Sequence, residues 1–226
     1  MSAALRVGQK VHGDPMPRFP ALFRRFVLKG EHAETPLVGP VGRDPAGYVL
    51  IRDPGLYWIG YESNASPLML DARKFEEYLK DEGLERIIEK RAKAGQSAAE
   101  GRERFYRCAK ALLDASEPSA GFDAPLGFAL ELVPRKSPYA IRSGGELPLS
   151  LLFRGKPIAN VLVVAMNKDD PDKAVRARTD AKGRVSLRLA RPGFWLIKAV
   201  HMEAAPPGAG VDWESWWASI TFELAQ

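Results

Sequence analysis

The chain has 226 residues, 46% of them hydrophobic and 27% charged, with a formal net charge of +5, the balance of a soluble globular protein large enough to bury a core unaided. Its single cysteine, Cys108, excludes an internal disulfide and any Cys-x-x-Cys metal or redox motif. No apolar run approaches the roughly 20 residues of a membrane span, and basic residues alternate with acids rather than forming a block, which argues against a transmembrane segment and against a nucleic-acid partner.

Residues 1–70 read as the amino-terminal portion of a β-sandwich. Short runs such as FRRFVLKG, GYVLIRD and LYWIGYES are punctuated by Gly30, Gly39-Pro40, Pro45 and Pro54-Gly55, the spacing of strands in an antiparallel sheet. Phe23 and Phe26 flank two arginines, so that run alternates poorly.

Over 71–117 the period changes to that of a helix. Phe75, Tyr78, Leu79, Ile87, Ile88 and Ala92 follow helical spacing behind Asp71 as N-cap, with Gly83 as a break. A second helix is expected from Ser97 and Glu100, a capping box, followed by the stripe Phe105, Cys108, Ala109, Leu112 and Leu113. Together they form a helical hairpin inserted on one side of a β core, with Cys108 as an inert small hydrophobe on its apolar stripe.

From 118 to 226 strand patterns return. Val185, Leu187 and Leu189 alternate with Arg184, Ser186 and Arg188, a strand with one wet face, whereas IANVLVVAM and FWLIKAV are apolar on both faces and belong at the centre of a sheet. Period-two counting puts Trp195, Ile197, Ala199 and His201 on one face, leaving His201 at the mouth of the core. In ESWWASITFEL, Trp216, Ala218, Ile220, Phe222 and Leu224 share the core face and Trp217 points the other way. Asp180-Ala181-Lys182-Gly183 and Gly155-Lys156-Pro157 carry turn chemistry. The expected fold is mostly β with a helical insertion, built from antiparallel immunoglobulin-like or transthyretin-like β-sandwiches.

Three segments of the carboxyl-terminal half, GKPIANVLVVA, RARTDAKGRVSLRLARPGFWLIKAVHM and DWESWWASITFEL, resemble a bacterial family of unknown function labelled a periplasmic component of cobalt or nickel transport systems. LRVGQKVHGDPMPR, PGLYWIGYES and GRERFYRCAKALL resemble its amino-terminal half and insertion, so the likeness covers nearly the whole chain. Members of that family begin, after a cleaved leader, with a His-Asp-Phe-Trp segment that this chain lacks. The resemblance implies export to the periplasm, a membrane metal transporter as partner, and a divalent transition metal (nickel, cobalt, copper or zinc) as ligand.

Such ions favour imidazole with some carboxylate. The histidines are His12, His32 and His201, none in a His-x-His or His-x-x-x-His pair. His12 and Asp14 could place two ligands on one turn, although a hydrated loop is the commoner fate. For His201 the ligand role rests on the family label, against a strand-end histidine bonded to backbone; Asp212 is a nearby carboxylate. Asp169-Asp170-Pro171-Asp172 reads as a solvated loop without EF-hand spacing. No hydrolase, zincin or phosphate-loop motif occurs, so no enzyme is expected. Trp213 and Trp217 offer a different function, stacking on a sugar or anchoring a protein in an adhesion module of the cell envelope.

Overall fold

The computed structural model describes residues 1–8, 10–115 and 121–224. The first part of the chain forms strands β1 (Ser2–Ala3), β2 (Leu5–Val7), β3 (Asp14–Met16), β4 (Phe23–Lys29), β5 (Glu34–Pro36), β6 (Gly47–Tyr48), β7 (Leu56–Ser63) and β8 (Ser66–Leu70). Helices α1 (Ala72–Asp81) and α2 (Glu85–Lys93) come next, then the long strand β9 (Gly101–Asp114). The remainder is β10 (Leu130–Pro134), β11 (Gly145–Phe153), β12 (Lys156–Pro157), β13 (Leu162–Asn167), β14 (Asp170–Arg178), β15 (Arg184–Leu189), β16 (Gly193–Ala204) and β17 (Trp213–Leu224). Among the described residues no helix is long and apolar enough to cross a membrane.

One large sheet runs in the order β14-β13-β16-β17-β9-β7-β4-β5, with β8 paired to the start of β9. Its pairs are antiparallel except β17 with β9, which run parallel and join the two halves of the chain in a single sheet. A smaller sheet of β10, β11, β12 and β15 packs on one face of its centre. The alternation in β15 and β17 does what its period requires: Val185, Leu187, Leu189 and Trp216, Ala218, Ile220, Phe222, Leu224 point into the shared core. The expected sandwich with a helical insertion is the observed one.

The helical segment is shorter than the sequence suggests. Asp71 caps α1 by accepting the Lys74 N–H, and Gly83, at φ 67°, separates α1 from α2. The expected second helix does not form; the segment carrying Phe105, Cys108, Ala109, Leu112 and Leu113 is strand β9 in the middle of the large sheet. Its apolar residues belong to two faces. Cys108 and Leu112 enter the sandwich core, while Ala109 packs against an apolar cluster on the opposite side. The boundary drawn between 117 and 118 lies outside the described residues. In β4 a register shift between Phe23 and Arg25 explains the poor alternation and lets Phe23 and Phe26 meet edge to face, 5.7 Å apart.

Two separate covers pack on the outer face of the large sheet. α1 and α2 bury Val200, Met202 and Trp213 beneath Phe75, Tyr78, Leu79 and Ile87. At the other end the amino-terminal segments bury Phe26 and Tyr61 beneath Ala3, Leu37, Ala46 and Val49.

Candidate functional site

His201 lies on β16 opposite Trp216 of β17 and is 2% exposed. Arg86 reaches it from α2, its Nη2 standing 2.8 Å from His201 Nδ1 and donating to the Met202 carbonyl at 2.5 Å. A guanidinium has only donors, so Nδ1 is the acceptor and the ring carries its proton on Nε2. Nε2 is buried without a hydrogen bond, 3.4 Å from Glu203 Oε1. Burial first, and then the Arg86 charge, push the imidazole down to about 4, so it is neutral at ordinary pH. Around it the Phe153 ring lies 4.4 Å away, Trp216 stacks on Tyr106, and the Arg154 guanidinium stands over both Phe153 and Trp216.

This arrangement does not fit a metal ligand. Coordination through Nε2 would move the ring proton to Nδ1 and set it against the Arg86 N–H, donor facing donor. The other expected ligands are elsewhere. His12 is exposed, its Nε2 3.2 Å from the Lys168 carbonyl, and the Lys168 N–H donates to Phe194. Phe194 precedes His201 by seven residues of β16, roughly 23 Å at strand rise. Asp14 is exposed on β3. Asp212 accepts two hydrogen bonds from Arg102, at 2.8 and 3.1 Å, which hold its carboxyl below the usual range. His32 is exposed beside Glu31. Among the described residues no three or more His, Cys, Asp or Glu side chains gather as a metal-holding group. The segment expected as a solvated loop at 169–172 is instead a turn at 168–169 followed by the start of β14, where Asp170 pairs with Lys173 and Arg191, and Asp172 with Lys10.

Neither tryptophan stands free of partners. Trp213 is buried under the helices. Trp217 is half-buried, stacked on Tyr78 at 5.7 Å, with Lys198 over its ring and its Nε1 donating to Ser215 Oγ.

Sequence reasoning missed the buried charges. Glu103 Oε1 accepts from Tyr78 and from Ser215, while its Oε2 has no partner, and burial raises the carboxyl to about 7. Lys110, 1% exposed, bonds to Glu131 at 2.8 Å and stands 4.4 Å from the Trp58 ring centroid. Glu131 also accepts the backbone N–H groups of Leu126, Gly127 and Phe128. The available signal was a charged residue flanked by apolar ones within a strand, as in ALELV. None of these groups makes a reactive set: Ser215 and Glu103 are sealed, and burial pushes the Cys108 thiol up to about 12.

What remains open is the outer face of the large sheet and its amino-terminal corner. Val38 and Tyr48 are bridged in antiparallel register, so both point to the same side, and Leu50 follows Tyr48 by two residues with Val49 buried between them. Val38 is 69% exposed, Leu50 71% and Tyr48 51%. Beside this corner runs a groove of about 630 Å³, lined by Met1, Leu50, Ile51, Ala111, Leu113 and Phe194 among others. Neither the curated proteins nor the solved structures contain a match to this chain. A family model described as a domain of unknown function (DUF4198) matches residues 2–203, and the chain belongs to that family.

Proposed function

We propose that this chain is a non-enzymatic periplasmic accessory protein that works by binding a membrane metal transporter. On this reading its link to nickel or cobalt uptake runs through that partner and not through an ion held on its own side chains. The observation that carries the reading is the corner of Val38, Tyr48 and Leu50, three large apolar side chains sharing one solvent face, the kind of patch that marks an interaction surface. The resemblance to a transport-associated family supplies the choice of partner. The commitment of His201 to Arg86 argues against direct coordination of nickel, cobalt, copper or zinc. A carbohydrate-binding role is weaker, because Tyr78 already covers the Trp217 ring.

Two measurements test this. A photo-crosslinking residue placed at Val38 or Leu50 in producing cells is expected to trap a membrane protein that the same residue at exposed Arg188 does not; identical patterns at both positions overturn the reading. Calorimetric titration with the four metals is expected to give no saturable heat. One-to-one binding that disappears in His201→Ala would restore the metal role.

A further inference from the structure

Between the two covers the outer face of the large sheet carries an unusual strip. Cross-strand register sets Tyr61, Ala109, Ser219 and Lys198 in one row, and Ile59, Ala111, Thr221 and Leu196 in the next. Ala111, Leu113, Leu196 and Phe194 are apolar and half-buried, yet they pack into none of the three apolar clusters. The floor is made of small side chains, and at its far end it opens into the groove of about 630 Å³.

At the near end stands Arg107, beside Trp217 in the register of β9 and β17. Its guanidinium lies 4.5 Å from the Phe105 ring centroid. Among the described residues it has no carboxylate within ion-pair distance, and its charge acts on the Tyr61 hydroxyl. Lys198, on the same face, differs: it is paired with Glu82. A partly desolvated guanidinium without a counter-charge is costly to keep, and an anion that completes its hydrogen bonds would be held well.

We propose that this strip binds a long-chain carboxylate, its headgroup on Arg107 and its tail along Ala109, Ala111 and Leu196 into the groove. A guanidinium without a counter-charge matches the single negative charge of a carboxylate. From Arg107 to Leu113 the strand covers about 20 Å, enough for an extended acyl chain, which spans about 15 Å in one leaflet of a bilayer. The proposal rests on the reading of this chain as a binding protein but not on a transporter at the corner, and its variants leave Val38, Tyr48 and Leu50 untouched.

Titration with dodecanoate below its micelle concentration, followed by calorimetry, tests it against dodecanol and acetate. One-to-one binding of dodecanoate is expected, with dodecanol weaker by about tenfold or more, as loss of a charge-assisted hydrogen bond implies, and acetate without measurable heat. Arg107→Gln should weaken dodecanoate to the level of dodecanol, and Ala111→Phe should block the tail. Thr221→Leu provides a milder block, and the melting temperature of each variant separates loss of binding from loss of folding. No binding of dodecanoate to the parent protein, or equal binding by parent, Arg107→Gln and Ala111→Phe, overturns the proposal.

Discussion

Glu103 shows how much one buried side chain can set. The carboxyl is fully buried, and both hydrogen bonds it receives fall on the same oxygen, from Tyr78 and Ser215. Burial therefore outweighs those bonds and raises it from 4.5 to about 7. A folded value above the unfolded one means that the native state holds the proton more tightly. The stability this contributes is complete below about pH 4.5 and lost as pH rises through about 7, a difference of roughly 3 kcal/mol. Glu103→Gln keeps an acceptor for Tyr78 and Ser215 but cannot ionise. Urea unfolding should show the variant more stable than its parent at pH 8, by up to about 3 kcal/mol, and close to it at pH 4. A constant difference at both pH values would disprove the assignment. His201 titrates with the opposite sign: its value is lowered to about 4, so its stability contribution fades as pH falls through that value. The position of His201 at the end of the Trp195, Ile197, Ala199 row was legible from strand period alone. Its partner Arg86, 115 residues away in sequence, was not.

The element most misread was β9, and the reason is physical. A strand covered on both faces places apolar residues at any spacing, so Phe105, Cys108, Ala109, Leu112 and Leu113 imitated a helical stripe. Lys110 then concealed the inward alternation of Cys108 and Leu112, because its charge is answered by Glu131 and not by solvent. The helices before it were readable, since Asp71 and Gly83 act within a few residues of themselves. How α1 seats on the sheet depends on Gly101 at the start of β9. A Cβ built there falls 2.2 Å from the Phe75 ring, which is buried with Arg91 over it at 4.8 Å. Gly101→Ala must displace Phe75 and should cost about 1–3 kcal/mol, as overpacking of a tight core does. Hydrogen exchange locates the damage: amides of α1 should lose protection before those of β17. Unchanged protection in α1 would show that Phe75 yields without disturbing the helix.

At the scale of the whole molecule the parallel pairing of β17 with β9 has a consequence that neither half could show by itself. The amino-terminal strands β4 and β7 join the sheet through β9, which is held from the other side by β17, and β7 itself sends Leu56 and Trp58 into the sandwich core. The buried bond between Lys110 on β9 and Glu131 on β10 ties that central strand to the second sheet, and Glu131 fixes the turn before β10 through three backbone N–H groups. Lys110 is desolvated enough that burial drives its affinity for protons down, with Glu131 opposing the shift. Removing one member of such a pair leaves the other charge buried alone, which costs about 3–5 kcal/mol. Glu131→Ala should therefore destabilise the protein by about that amount, whereas Lys110→Met with Glu131→Gln should recover most of it, because no lone charge remains. Because the sheet is continuous from β14 to β5, parent and variants should each unfold in one transition, with near- and far-ultraviolet signals changing together. Two separated transitions in the parent protein would mean that the amino-terminal cover and the sandwich unfold as independent units despite the strand they share.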